Sequence, residues 1–163
     1  MAVEEQHDPS EAVEELLERV VEALGLEATV EITDDGETCT GTVHGDDLGL
    51  FIGRHGQTID AVQHLAQRIS GARPPSRMRE GGRQIVIDAE GYRERREVML
   101  QRQADGAAED ALRYGRPVAL DAMNASERRL VHEYLRDRGE VQTYSEGDEP
   151  DRHLIVAPLT DES

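Results

Sequence analysis

The segment Gly53-Arg54-His55-Gly56 combines residue types and a spacing that could hold a phosphate backbone. Glycine has no Cβ, so a sugar-phosphate chain can approach the main chain closely, and the amides that open a following helix attract anions. Arg54 and His55 would lean over the phosphates, and Gln57 follows them at the start of that helix. An ordinary helix-to-helix turn, with glycine in a left-handed conformation, is the alternative for so short a pattern.

The surroundings of this segment could extend the contact surface. We expect the apolar side chains of Ile52, Ile59 and Val62 to line a groove for the bases of a bound chain. Downstream, the stretch 72–82 is rich in Pro and Gly and is predicted to be a mobile basic loop. Its three arginines would add accessory contacts to phosphates, and they are Arg73, Arg77 and Arg79.

A second candidate site is formed by Arg128 and His132, which lie four residues apart on a predicted helix. The helix begins with a capping box, in which Asn124 and Glu127 satisfy each other's backbone N–H groups. At about 100° per residue, the residues of this helix separate onto two faces. The predicted polar face carries Arg128, His132 and Arg136, and the apolar face carries Leu130, Val131, Tyr134 and Leu135.

The polar face of this helix could also bind phosphates. An arginine and a histidine near a helix N-terminus offer several hydrogen-bond donors, and the helix dipole adds attraction. Arg129 lies beside them in the sequence, and His132 is not expected in the core. On spacing alone, a solvated polar face without a ligand is the alternative.

The elements that must position these sites follow from hydrophobic periodicity and capping. Asp8 and Pro9 predict a helix start, and Gly25 predicts its end. The first half is then predicted as helix 9–24, strands 28–32 and 38–43 around a turn at 34–36, short helix 46–52, a second helix ending at Gly71, and strand 84–88. The second helix would bury Ile59, Val62, Leu65, Ala66 and Ile69. This order is αββααβ.

The second half is predicted in the order αβαββ. Its elements are helix 91–114, strand 117–120, helix 124–138 ended by Gly139, and strands 141–144 and 153–157. Two small domains fit a chain of 163 residues. The second domain would carry the Arg-x-x-x-His pair on its central helix.

Charge is distributed unevenly along the chain, although the formal net charge is -17. Residues 1–50 hold 15 acids and one Arg (-14), residues 51–138 hold 13 acids and 16 Arg (+3), and residues 139–163 hold seven acids and one Arg (-6). The cations are therefore concentrated around the two candidate sites, where they could meet phosphates. The first residues are acidic and no long apolar run follows, so we expect no signal peptide, no membrane insertion and a cytoplasmic location.

Motifs of catalysis and of metal binding are missing from the sequence. His132-Glu133 lacks the second histidine of a zinc peptidase helix, and neither a Gly-x-Ser-x-Gly nor a phosphate-loop motif occurs. Cys39, the single cysteine, lies in a predicted strand and is interpreted as a buried small residue. We expect no catalytic activity, no cofactor and no metal.

The two motifs and their surroundings resemble a known bacterial family. The run Leu50 to Ile59, set in the order αββααβ, resembles the bacterial-type (type II) KH domain. The second half is similar to the R-three-H domain. The similarity lies in the Arg-x-x-x-His pair and in the segments 116–118, 123–124, 143–147 and 149–152. With the segment 90–96 between them, the chain is similar to the Jag family over about residues 10–158.

This resemblance implies an α+β fold with two domains and a function. The KH domain would span 10–90, and an R-three-H domain with a leading linker helix and a short sheet packed by helices would span 91–158, between tails 1–9 and 159–163. In KH domains the Gly-x-x-Gly loop clamps about four single-stranded nucleotides. The implied ligand is single-stranded RNA, or single-stranded DNA, at residues 53–57 and at Arg128, Arg129, His132 and Arg136. The implied role is an RNA chaperone or post-transcriptional regulator linked to cell elongation and envelope synthesis, beside a small single-KH partner.

Two points set this chain apart from that expectation. Longer Jag proteins carry an additional N-terminal domain, and the sequence is interpreted as a short form without it. The acidic first 50 residues also allow a different class of function, a protein-interaction adaptor that binds a basic partner and has little affinity for RNA.

Overall fold

The computed structural model describes residues 8–71 and 83–160. The described residues form two compact units, and the chain divides between Tyr92 and Arg93. The first unit has the predicted order αββααβ, with a single 3-10 turn between its last two helices. Its elements are α1 (Pro9–Ala23), β1 (Ala28–Asp34), β2 (Thr38–Gly45), α2 (Gly49–Ile52), the 3-10 turn (Arg54–Gly56), α3 (Gln57–Ile69) and β3 (Gln84–Ala89).

Local signals in the sequence account for the bounds of α1. The Asp8 carboxylate accepts a hydrogen bond from the Ser10 N–H, and Pro9 occupies the first turn, where a missing N–H costs nothing. At the other end, Gly25 takes a φ of +66°, which ends the helix. The buried side of α1 carries Val13, Leu17 and Val21.

The sheet of the first unit has the order β1-β2-β3. The hairpin β1–β2 is antiparallel, and the Asp35 carboxylate accepts from the Glu37 and Thr38 N–H groups at its turn. Strand β3 pairs parallel with β2. Gly41 lies at the centre of β2, where a Cβ would come within 2.5 Å of Leu17 Cδ1. The glycine therefore lets α1 pack closely on the sheet.

The core of the first unit lies between this sheet and the helices α1 and α3. Cys39 in β2 is fully buried, as predicted, and burial raises the pKa of its thiol. The buried stripe of α3 consists of Ile59, Val62 and Ala66. Leu65 and Ile69, which were also predicted to be buried, are 49% and 51% exposed. The buried stripe of α3 is narrower than the apolar face predicted from the sequence, because a single row of its side chains contacts the core.

The second unit follows the predicted order αβαββ. Its elements are α4 (Tyr92–Tyr114), of which Tyr92 belongs to the first unit, β4 (Val118–Ala119), α5 (Ala125–Arg136), β5 (Val141–Glu146) and β6 (His153–Pro158). The strands form an antiparallel sheet in the order β4-β6-β5. The buried side of α4 carries Leu100 and four alanines, whose small side chains allow close packing. The α+β class predicted from the sequence is confirmed.

Several predicted bounds differ from the structure, two of them by enough to change the element. The short helix expected from residue 46 begins at Gly49, and the strand expected at 117–120 covers Val118–Ala119 alone. Pro117 restricts the residue before it and donates no N–H, which limits how far pairing can extend. The basic loop 72–82 lies outside the described residues. None of the described helices has the length and apolar character needed to cross a bilayer.

Candidate nucleic-acid interface

The segment 53–56 is a tight turn that requires both of its glycines. Gly53 and Gly56 each have a φ of +75°, a region that L-residues with a Cβ rarely occupy. A Cβ on Gly53 would come within 2.8 Å of the Thr58 backbone nitrogen, and one on Gly56 within 2.8 Å of the Tyr92 hydroxyl oxygen. The chain therefore passes through this turn without room for side chains at either glycine.

This turn presents polar groups at the start of α3. Arg54 and Gln57 are exposed, and His55 is half-buried. The backbone of His55 has a positive φ of 54°, so three of the four residues of the turn have left-handed φ angles. Among the described residues, no side chain caps α3, whose N-cap is Gly56. An anion at this position could take the place of a capping side chain.

The prediction that apolar side chains line a groove beside this turn was wrong in part. Ile59 is completely buried and Val62 is 4% exposed, so neither side chain can line a surface for bases. Both point into the core because they belong to the row of α3 residues that packs on the sheet. Ile52 is half-buried and is the remaining candidate of the three.

Tyr92 is a residue of this site that the sequence reasoning missed. Its ring lies against Gly56, at the first position of α4, and it packs partly buried on the core of the first unit. The segment 90–96 contributed to the family resemblance but carried no signal for this contact. Contacts between residues 36 positions apart cannot be read from local spacing.

The predicted capping box of α5 is confirmed. Asn124 Oδ1 accepts from the Glu127 N–H at 2.9 Å, and Glu127 Oε2 accepts from the Asn124 N–H at 3.3 Å. Glu127 also accepts from Arg96 Nε of α4 at 2.8 Å, and both of these side chains are largely buried. The start of α5 is thereby fixed within the second unit.

Arg128 does not belong to an exposed polar face, and that prediction was wrong. The residue is 8% exposed and falls on the buried stripe with Val131 and Leu135. Its Nη1 donates to the Met123 carbonyl at 2.6 Å, and its Nη2 donates to Glu149 Oε1 at 2.6 Å. The long aliphatic stem lets the residue pack in the core while the guanidinium satisfies groups on two adjoining loops.

A groove of about 430 Å³ lies between α5 and β5. The helix contributes Arg128, Arg129 and His132, together with Ala125 at its first turn. The other wall is formed by Thr143, Tyr144, Ser145, Arg152 and Leu154. Four basic side chains therefore surround one cavity at the N-terminal half of α5, where the helix dipole is positive.

His132 is held in this groove by a neighbouring hydroxyl. Its Nδ1 shares a hydrogen bond with Thr143 Oγ1 of β5, which orients the ring and leaves Nε2 as the nitrogen that can meet a ligand. His132 is exposed, as predicted. Arg129 is also exposed and donates to Glu133 Oε1 at 2.9 Å, and this bond lowers the pKa of the Glu133 carboxyl. A phosphate could replace Glu133 as the partner of Arg129.

The remaining predicted site residues lie elsewhere. Arg136 is exposed, and its Nε lies 3.9 Å from Asp137 Oδ1. It does not line the groove. Arg73, Arg77 and Arg79 lie outside the described residues. The groove residues Thr143, Ser145 and Arg152 were noticed in the sequence for their family resemblance but were not predicted as site residues. No cluster of three His, Cys, Asp or Glu side chains suited to a metal occurs within residues 8–71 and 83–160.

Family models match both units of the chain. A model described as the KH domain of KhpA and KhpB matches residues 10–79. A model described as the R-three-H domain matches residues 98–158. The two matches occur in the order inferred from the motifs.

Several bacterial relatives align with most of the chain. The RNA-binding protein KhpB of Clostridium symbiosum is 34% identical over 145 residues, which are 88% of this chain and 63% of that protein. KhpB of Lactiplantibacillus plantarum is 36% identical over 138 residues, 85% of this chain and 41% of that protein. KhpB of Bacillus subtilis is 28% identical over 155 residues, 94% of this chain and 72% of that protein. The chain thus spans less than two thirds of the first two relatives.

Proposed function

Because this chain belongs to the Jag family, in which a KH domain is joined to an R-three-H domain, we propose that it binds single-stranded RNA through both units. The observation that carries the proposal is the groove between α5 and β5, where Arg129, His132 and Arg152 converge. The name of the relatives, RNA-binding protein KhpB, supports RNA as the ligand.

In the second unit, phosphate oxygens would be bound by the exposed donors of the groove. Arg129 would exchange its bond to Glu133 for a phosphate, and Nε2 of His132 would donate from the position that Thr143 fixes. Arg128 has a different task in this proposal, since its buried guanidinium holds the loops around Met123 and Glu149 in place. Arg136 would contribute long-range attraction from outside the groove.

In the first unit, the backbone of the RNA would cross the turn at residues 53–57. Gly53 and Gly56 would allow close approach, and Arg54, His55 and Gln57 would donate to phosphate and sugar oxygens. The arginines at 73, 77 and 79 would add accessory charge. We assign residues 10–90 to the KH domain and 91–158 to the R-three-H domain, an assignment supported by the division of the chain between Tyr92 and Arg93.

The proposed role is binding without catalysis, in the cytoplasm. It needs no cofactor, because the donors of both sites suffice for phosphate contacts. Post-transcriptional regulation or RNA chaperoning, connected with cell elongation and envelope synthesis and with a small single-KH partner, is the physiological role that the family resemblance favours. Single-stranded DNA would be a weaker ligand if sugar 2′-hydroxyls contribute to binding.

Fluorescence anisotropy with labelled single-stranded and double-stranded RNA tests the proposal. We expect Arg54→Asp to weaken single-strand binding about tenfold or more, since it removes a donor and adds repulsion. Arg19→Asp is the charge-matched control, because Arg19 is equally a surface arginine of the first unit but lies on α1. An intact chain that binds no single-stranded RNA would exclude the proposal and favour the adaptor. Equal losses in the two variants would exclude the KH turn as a contact site.

A further inference from the structure

Strand β5 forms one edge of the sheet in the second unit. Among residues 8–71 and 83–160, the order of the sheet is β4-β6-β5, so the one strand that pairs with β5 there is β6. Along an edge strand, alternate residues direct their backbone N–H and C=O groups away from the sheet. The hydrogen bonds at the ends of the ladder identify the residues of β5 whose backbone groups point away from the sheet.

The Leu159 N–H donates to the Glu140 carbonyl, and these two residues are directly opposite in the register of β5 and β6. Glu140 and Leu159 therefore form a hydrogen-bonded pair, and the same holds for every second pair along the ladder. Tyr144 and Ile155 belong to this set. The backbone groups of Thr143 and Ser145 consequently point outward at the free edge.

The pairing of β6 with β4 indicates independently that the backbone groups of Thr143 and Ser145 point outward. The Leu120 N–H donates to the Leu154 carbonyl, so the backbone groups of Leu154 face β4. The adjacent residue, Ile155, must then face β5, where it meets Tyr144. Both hydrogen bonds therefore assign the N–H groups of Thr143 and Ser145 to the side of β5 that faces away from β6.

These outward groups lie at the groove. Side chains alternate between the two faces of a strand, so Thr143 and Ser145 share one face and Tyr144 has the other. A cavity lined by all three of these consecutive residues must therefore run along the main chain of β5. The hydrogen bond between His132 and Thr143 connects the phosphate-binding donors to this same stretch of strand.

We propose that the free edge of β5 recognises a nucleobase through main-chain hydrogen bonds of Thr143 and Ser145, while the basic groove residues bind the adjoining phosphate. The inference rests on the proposed function and adds a base-recognition site to it. An N–H and a C=O spaced along a strand edge can meet the donor and acceptor of an unpaired base. The groove volume of about 430 Å³ falls in the range of sites that hold one small ligand, such as a single nucleotide.

A peptide strand is the other occupant that an open edge could accept. The charge of the groove favours RNA, because Arg129, His132 and Arg152 would face an anionic backbone on the helix side of β5. A peptide added to the edge would leave these cations without a matching group unless it were acidic at each of those positions.

Residue-resolved amide exchange in the intact chain provides the test, with short RNA homopolymers of A, C and U as probes. We expect saturating RNA to slow exchange at Thr143 and Ser145 by about tenfold or more. The Tyr144 amide is an internal control, since it already pairs with Ile155 and should change little. Perturbed Arg129 and His132 side chains with unchanged exchange at Thr143 and Ser145 would overturn base recognition and leave RNA binding intact. Loss of RNA binding altogether would remove both proposals.

A substitution at Ser145 tests the same claim by affinity. Ser145→Pro removes an outward N–H without breaking the ladder to β6, a position where edge strands tolerate proline. We expect Ser145→Pro to lower the affinity for the preferred RNA homopolymer about three- to tenfold. The affinities for the A, C and U homopolymers should then differ less from one another than they do for the wild type. Ser145→Ala is the matched control, since it removes the hydroxyl and keeps the N–H. Equal affinities of the two variants, with unchanged thermal unfolding, would contradict the proposal.

Discussion

Gly56 is constrained twice, by its backbone conformation and by its neighbour. Its φ of +75° is unfavourable for any residue with a Cβ, and a Cβ would come within 2.8 Å of the Tyr92 hydroxyl oxygen. The first constraint was expected only under the alternative interpretation of the Gly-x-x-Gly spacing, an ordinary helix-to-helix turn with glycine in a left-handed conformation. The second depends on a contact between the turn and the first residue of α4, which local sequence patterns do not encode.

Substitution of Gly56 by Ala should therefore destabilise the first unit more than substitution at an open left-handed glycine. We expect Gly56→Ala to lower the free energy of unfolding by about 2–3 kcal/mol, the sum of backbone strain and overpacking. Gly25→Ala should cost about 1 kcal/mol, since its φ is +66° and, chain neighbours aside, no atom of the described residues lies within 4 Å of the added Cβ. Urea denaturation gives both values, and equal losses would mean that the Tyr92 contact is not restrictive.

The adjacent arginines of α5 have separate tasks. Helical spacing predicted that Arg128 would be exposed, but it is buried between the Met123 carbonyl and Glu149, while the Arg129 side chain is 80% exposed. Burial of an arginine whose carboxylate partner, Glu149, lies 21 residues away is a tertiary feature, so no periodicity could indicate it. The two residues should respond differently to truncation.

Arg128→Ala should lower the unfolding free energy of the second unit by about 1–3 kcal/mol, because it leaves the buried Met123 carbonyl without its donor. Arg129→Ala should leave stability within about 0.5 kcal/mol and weaken RNA binding several-fold. Arg19→Ala is the matched control for Arg129→Ala, since Arg19 is also exposed and pairs with a glutamate four residues away. Thermal unfolding and anisotropy separate the effects. A stable Arg128→Ala protein with weakened RNA binding would reverse the assignment.

At the scale of elements, His44 connects three parts of the first unit. From β2, its Nε2 meets Glu31 of β1 at 2.6 Å, and its Nδ1 meets Glu90 at 3.2 Å, just after β3. The hydrogen bond to Glu31, followed by the one to Glu90, raises the pKa of His44. A raised pKa in the folded state means that the protonated histidine stabilises the fold.

This stabilisation should be complete below the unfolded pKa of about 6.5 and should be lost as pH rises through the folded pKa. We therefore expect the free energy of unfolding of the wild type to decrease above about pH 6.5. His44→Gln should flatten this part of the pH profile while retaining a hydrogen-bonding side chain. Denaturation curves at several pH values measure it. Parallel profiles for wild type and variant would show that His44 is not the titrating group.

The elements themselves were largely predictable, because their signals are local. Caps at Asp8 and Asn124 and the terminating Gly25 predicted helix bounds to within a residue or two. The buried stripe of α3 was predicted too wide, and β4 too long, because packing and pairing partners decide how much of a pattern is used. The groove was not predictable, since its strand wall became a site only through the fold.

At the scale of the whole molecule, charge is segregated along the chain. The first 50 residues carry -14 and residues 51–138 carry +3, so an RNA would meet attraction mainly where the proposed sites lie. The exposed acids of α1 would repel a phosphate backbone elsewhere. Two modest sites on one chain can act together when an RNA is long enough to reach both, which raises affinity without new contacts.

The salt dependence of RNA binding tests the central claim most directly. Anisotropy titrations at several salt concentrations would compare the wild type with two double variants, Arg54→Asp/His55→Asp and Arg129→Ala/His132→Ala. We predict that each variant weakens binding of single-stranded RNA and reduces the salt slope by about 0.7 for each phosphate that the variant no longer neutralises. A slope unchanged in both variants, or a wild-type chain that does not bind single-stranded RNA, would contradict the account.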